Sequence, residues 1–197
     1  MYPKYVQIKD KKYRINTDFR VAIRCNQIAL DESIGDFERA LAIIYLLFGE
    51  KGLRDSKNYE KLLKLGIKFL CCGKELENNS NQKIDMDFEQ DKELIKSSFK
   101  HDYGYNPYAK KYIHWWDFYN DLCNLSNSDM GDCCALNRVR NLRNYDTSKI
   151  KDSKERAKIE KAKKQVALKG KGREITKEQE ERMNEFLEQI NYQERRR

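Results

Sequence analysis

The sequence contains only two histidines, His101 and His114, and its six cysteines include no Cys-x-x-Cys step. Zinc centres draw four ligands from such spacings, so no metal or cofactor is expected. Two of the cysteine groupings are instead vicinal pairs, Cys71-Cys72 and Cys133-Cys134. Long hydrophobic runs are missing as well. The longest, residues 41–48, falls far below the roughly 20 residues that a membrane span requires. No N-terminal apolar stretch reads as a signal peptide. The expectation is a cytoplasmic chain with reduced thiols, its cysteines buried for structural reasons.

A catalytic constellation is also lacking. His114 has Asp117 three residues on, but no serine or cysteine nucleophile can be tied to it, and Cys123 lies more than two helical turns away. The Lys169-Gly-Lys-Gly run has neither the preceding strand nor the Ser/Thr of a phosphate-binding loop. It reads as a hinge. The chain is therefore expected to bind rather than to catalyse.

What is present suits one domain with an appendage. The 197 residues exceed the usual domain size of about 100 to 150 residues, and the charge is unevenly placed. Of the net charge of +8, the segment 149–173 accounts for eleven Lys or Arg against three Asp or Glu, whereas 174–197 carries five against seven. We divide the chain into a helical body over 1–148, a basic helix and hinge over 149–173, and an amphipathic helix over 174–197. The fold class is mainly α: a helical bundle with a short N-terminal β-hairpin and an extended C-terminal helical arm.

The hairpin follows from apolar–polar alternation in residues 5–8 and 12–15 around a polar turn. Thr17 is placed to cap a helix that ends near Asp31. Residues 37–48 are apolar nearly all round from Ala40 onward, the mark of a central buried helix, and 59–72 form an amphipathic one closed by Gly73. The asparagine-rich stretch 74–85 reads as a loop. A helix over 88–99 should turn at Gly104. The next is expected over 107–125, with Pro107 in its first turn, and Tyr112, Trp115, Trp116, Tyr119, Leu122 and Cys123 on one face. Residues 130–143 make another helix, capped from 126–129, and 151–168 a charged one with few apolar residues. Thr176 and Gln179 form a capping box for the last.

Trp115 and Trp116 carry large apolar area with one N–H donor each, the chemistry of interface hot spots. Adjacent helical positions point about 100° apart, which makes Trp115 the core anchor joining two helical halves, and leaves Trp116, with Tyr119, as the contact candidates. Arg138, Arg140 and Arg143 lie near the C-terminal end of their helix, where its dipole favours positive charge; a phosphate or carboxylate partner is the functional alternative. Segment 149–173 has no aromatic residue to stack on bases, and its acids support an exposed helix, so nucleic acid is disfavoured. Phe186, Leu187 and Ile190 need a partner, because a lone helix of that length is marginal.

Phe99-Lys-His-Asp-Tyr-Gly104, His114-Trp-Trp-Asp-Phe118, Asn124-Leu-Ser126 and Val139-Arg-Asn-Leu-Arg143, with a lysine-rich helix behind them, resemble the gene-product-fifteen family, the tail assembly chaperones of long-tailed phages of Gram-positive bacteria. The resemblance spans roughly residues 5–168 and is sharpest at the His-Trp-Trp-x-Phe core. It departs at Tyr105-Asn106, and the helix after Gly172 has no counterpart in it. It implies a non-enzymatic protein of the host bacterial cytoplasm. Such a protein binds the tape measure protein, keeps it soluble, and helps tail tube subunits assemble around it. Self-association and contact with the tube protein are further expectations. The alternative is a basic nucleic-acid-binding or structural tail protein.

Overall fold

The computed structural model describes residues 2–31, 33–74, 84–127 and 133–169. They form one two-stranded antiparallel sheet and seven α-helices: β1 (Tyr5–Ile8), β2 (Lys11–Arg14), α1 (Phe19–Ala29), α2 (Asp36–Leu53), α3 (Tyr59–Leu70), α4 (Lys92–Tyr103), α5 (Trp115–Cys123), α6 (Ala135–Asn144) and α7 (Ser153–Val166). The expected mainly α fold with an N-terminal hairpin is what the chain adopts. No helix among the described residues is long and apolar enough to cross a membrane. The described residues fall into two compact units. Tyr112–Tyr119 belong with the residues up to 74, and 120–169 with 84–111.

In the first unit, Tyr5 pairs with Arg14 and Ile8 with Lys11, and the strand alternation buries Ile8, Tyr13 and Ile15. The hairpin is anchored at its far side by Asp55, whose carboxylate accepts from the Lys11 ammonium at 2.8 Å, the Tyr13 hydroxyl and the Asn58 amide at 2.9 Å. These bonds, that from Lys11 foremost, hold the Asp55 carboxyl down at about 2. The cap of α1 is Asp18 rather than Thr17: its side chain accepts from the Arg20 backbone N–H at 2.9 Å, while Thr17 gives its hydroxyl to a contact with Tyr112 at 2.7 Å. α2 packs against α1, α3 and β2. It is kinked at Gly49, where φ is +64° and ψ −161°, a conformation open to glycine and costly for other residues. Cys25, fully buried in α1, has its thiol pushed up to about 12 by burial. Of the other cysteines Cys134 is also buried, Cys71, Cys72 and Cys133 are half-buried, and Cys123 is exposed. The expectation of burial therefore holds for two of the six.

The second unit is built on α4 packed against α6, with α7 against α6. Its core includes Ile95, Phe99, Leu122, Leu125 and Leu136. α4 starts at Lys92, later than expected, because the Asp87 carboxylate binds the Glu89 and Gln90 backbone N–H groups at 3.0 and 2.9 Å and holds a turn there. It ends at Gly104 in the left-handed region, as expected. α6 starts at Ala135 rather than 130. The Cys134 thiol accepts from the Asn137 N–H at 3.4 Å, and the buried Ser98 hydroxyl accepts from the Leu136 N–H at 3.0 Å, so two orphan donors of its first turn are met. Of the expected cap segment 126–129, Ser126 donates its N–H and hydroxyl to the Asp102 carboxylate at 2.6 and 3.0 Å, and Cys134 is the N-cap of α6; residues 128–129 and most of the loop at 74–85 lie outside the described residues.

Candidate partner-binding surface

The aromatic helix is shorter than the spacing of its side chains suggested. Pro107–Ala109 form a single 3-10 turn, Lys110 is extended at ψ 140°, and α5 begins only at Trp115. Tyr112 is thus not on the helix. Its segment runs beside 17–19: the Phe19 N–H donates to the Ile113 carbonyl at 3.1 Å and the Trp115 N–H to that of Thr17 at 2.7 Å. That pairing occupies backbone groups a longer helix would have needed. His114 then caps α5, with Nδ1 accepting from the Trp116 N–H at 3.1 Å. Its ring is buried, stacked under Tyr2 at 5.0 Å and edge-on to Phe69 at 5.9 Å. Burial pushes the imidazole below its ordinary value, against the opposing pull of the Pro3 backbone and Asp117.

The two tryptophans share one task. Trp115 Nε1 donates to the carbonyl of Leu70 and Trp116 Nε1 to that of Phe69, each at 2.8 Å. These are the last two residues of α3, where carbonyls run out of partners within the helix; that of Phe69 also accepts from the Cys72 N–H in the closing turn, at 3.0 Å. Trp115 is buried and Phe118 lies between it and Phe19, with Phe19 and Phe118 stacked at 4.3 Å. Trp115 is accordingly a core residue of the first unit. Trp116 is half-buried, stacked on Phe69 at 6.1 Å, and a Cβ at Gly73 would come within 3.2 Å of its ring. Gly73 also takes φ +83° as α3 closes, one residue after Cys72 at +54°. Of the two contact candidates, Trp116 is open in part and Tyr119 is 36% exposed.

A surface missed by the sequence reading lies on α2. Apolar nearly all round, it suggests complete burial, yet Phe37 is 49% and Tyr45 50% exposed. Leu41, between them, is half-buried. These three stand at i, i+4 and i+8, an apolar line along one helix face. Packing against α1, α3 and β2 buries Ile43 and Leu47 on the far side of this line and Ile44 on its flank. The signal was faint: Asp36, Glu38 and Arg39 around Phe37 are residues a fully enclosed helix start would exclude.

The arginines divide. Arg143 binds the Asp91 carboxylate through both terminal nitrogens at 2.7 and 2.8 Å, and also donates to the carbonyls of Val166 and Asp85 at 2.7 Å. Arg140 donates to the Asp85 carboxylate at 3.1 Å and to Asn137 at 3.3 Å. Both are engaged inside the second unit. Arg138 is exposed. Phe186, Leu187 and Ile190 lie outside the described residues. Among those residues no group of three His, Cys, Asp or Glu is placed to hold a metal ion.

A family model described as "Bacteriophage Gp15 protein" matches residues 2–168. The chain belongs to this family. No curated protein and no solved structure matches it. In this Gp15 chain, the family match contains the tryptophan pair, the open face of α2 and the arginine helix.

Proposed function

We propose that this Gp15-family chain is a tail assembly chaperone of a phage of Gram-positive bacteria, non-enzymatic, working in the host bacterial cytoplasm. It binds the tape measure protein, keeps it soluble and helps tail tube subunits assemble around it. The observation that carries the reading is the uncovered line Phe37, Leu41 and Tyr45 on α2 in a bacteriophage protein. A long apolar helix is recognised by apolar and aromatic anchors at i, i+4 and i+8 on a facing element. Aromatic side chains supply large contact area at little entropic cost. The outer edge of Trp116, Tyr119 and exposed Arg138 extend the contact surface, and Phe186, Leu187 and Ile190 serve self-association or the same client.

Co-expression of the full chain with the tape measure and tube proteins tests this. The expected result is a soluble tape measure that co-purifies with the chain and stays bound at high salt. Phe37→Ser with Tyr45→Ser should lose the client while keeping the helical circular-dichroism signal. Retention on DNA that falls steeply with salt, without co-purification, overturns the reading in favour of a nucleic-acid binder. Presence of the chain in finished virions overturns it in favour of a structural tail protein.

A further inference from the structure

The half-buried positions of α7 are Ile159, Ala162, Lys163 and Val166, the i, i+3, i+4, i+7 stripe of a helix lying on a neighbour, here α6. Lys154, Lys158, Lys161 and Lys164 fall on the other side, within an arc of about 120°. All four are exposed, and no acidic residue shares the arc. Asp152 is occupied as the N-cap, accepting from the Lys154 and Glu155 N–H groups, and Glu160 is turned to Thr147 at 3.5 Å. Among the described residues, no carboxylate pairs with any of the four ammonium groups. Like charges at i, i+3 and i+4 weaken a helix, so this face gains from an anionic cover.

The helix that carries the lysines is held by bonds that leave them free. Arg143 donates to the Val166 carbonyl at 2.7 Å, Lys163 to the Tyr145 carbonyl, and Arg156 to the Ile150 carbonyl at 2.5 Å. Just beyond the helix, Lys169 and Gln90 bond in both directions, at 2.8 and 3.0 Å. All of these residues belong to the second unit. A partner therefore meets a helix already formed and fixed in place, and its binding does not bear the cost of ordering one.

The shape of the charge selects the partner. Before residue 149, the described residues of the second unit carry eight Lys or Arg against eight Asp or Glu, whereas 149–169 carry nine against three. The excess is thus a narrow stripe and not a broad field, and from Lys154 to Lys164 it runs for about 15 Å. A nucleic-acid duplex carries one charge per about 1.7 Å of its axis. The stripe offers it four point charges, with no guanidinium fork and no aromatic ring for bases. Carboxylates on one face of a second helix recur with the same period as these lysines and can meet them one for one, as charged flanks do between paired helices. We propose that the lysine face of α7 is a docking surface for an acidic helix of a partner protein, with Glu or Asp at i, i+4, i+7 and i+11. This goes beyond the tape measure reading, whose anchors are on α2, and stands or falls apart from it.

The test is titration of the 15N-labelled full chain, followed by amide chemical shifts, with a capped alanine-based helical peptide of about 18 residues, which at about 27 Å spans α7. Its glutamates stand at i, i+4, i+7 and i+11. Expected are shifts concentrated in α7, with an affinity that falls severalfold at ~1 M salt, where the Debye length shrinks to about 3 Å. A peptide of the same composition, with its glutamates spread evenly round the helix, should bind severalfold more weakly. The combined variant Lys154→Gln, Lys158→Gln, Lys161→Gln and Lys164→Gln should lose the shifts while keeping the helical circular-dichroism signal. Changing the same four lysines to Glu should move the preference to a peptide with lysines in place of the glutamates. Absence of shifts in α7, equal affinity for the two glutamate peptides, or undiminished binding by the glutamine variant overturns the proposal. So does tighter binding of a short DNA duplex through the same lysines, which would assign the face to phosphate.

Discussion

The indole N–H of Trp115 donates to the carbonyl oxygen of Leu70 at 2.8 Å, and the next residue repeats the bond one carbonyl earlier, Trp116 to Phe69. Two adjacent tryptophans thus finish the C-terminal turn of α3 from another helix. Trp115→Phe keeps most of the ring but orphans a carbonyl beside a buried side chain, and should cost about 2 kcal/mol. Trp116→Phe should cost about 1 kcal/mol, because Trp116 is half-buried and its acceptor, the Phe69 carbonyl, keeps the Cys72 N–H at 3.0 Å. Urea unfolding followed by circular dichroism gives the order; equal costs would mean that the bonds contribute less than ring packing.

Arg143 and Asp91 predict a larger effect. Asp91 is 1% exposed and its carboxylate is bound through both oxygens by one guanidinium. Removing one partner of a buried pair leaves an uncompensated charge, so Arg143→Ala should destabilise by about 3–5 kcal/mol. Arg143→Lys cannot form the two-pronged contact or reach the Asp85 and Val166 carbonyls together, and should recover only part of the loss. The double variant Asp91→Ala with Arg143→Ala should be less destabilised than the sum of the single ones.

The same residues mark what the sequence makes legible. Hairpin, helix count and most helix ends follow from local signals: the alternation around Lys9–Lys11, the left-handed Gly104, the apolar spacing of α3. The errors came where a distant segment competes for backbone groups. Tyr112 to His114 look helical by spacing, but their neighbours pair with residues 17–19, nearly a hundred positions back along the chain. Arg143 looks like a surface charge because its helix is polar, and only the fold brings Asp91 to it. Trp115 was legible as core, since tryptophan on a mixed face has few other places to go. The open side of α2 was not, because a helix apolar all round does not say which side its neighbours leave uncovered.

Asp55 predicts behaviour in strong acid. Its carboxyl is held at about 2 by Lys11, Tyr13 and Asn58, against an ordinary value near 3.9. A depressed carboxylate contributes stability that is present above its unfolded value and lost as pH falls through its folded one, so the hairpin anchor should weaken between about pH 4 and pH 2. Asp55→Asn keeps an acceptor and removes the titration. It should be less stable at neutral pH by about 2 kcal/mol, and its urea midpoint should change less than that of the parent across this window.

His114 predicts a second, milder transition at higher pH. Its folded value is lowered, chiefly by burial, so the unfolded chain takes up a proton that the folded one refuses. Stability is therefore complete above the unfolded value, near 6.5, and falls as the pH drops below it, by at most about 1.4 kcal/mol per pH unit. The fall stops once the folded imidazole also binds the proton. Protonation at Nδ1 would remove the acceptor that caps the Trp116 N–H and place a positive charge at the N-terminal end of α5, where the helix dipole opposes it. His114→Asn places an amide oxygen where Nδ1 stands, retains the cap and does not titrate. Its urea midpoint should be lower at pH 7, through lost stacking with Tyr2 and Phe69, but nearly flat from pH 7 to pH 5, where that of the parent declines. A parent midpoint equally flat over that range would show that the buried imidazole is not linked to unfolding.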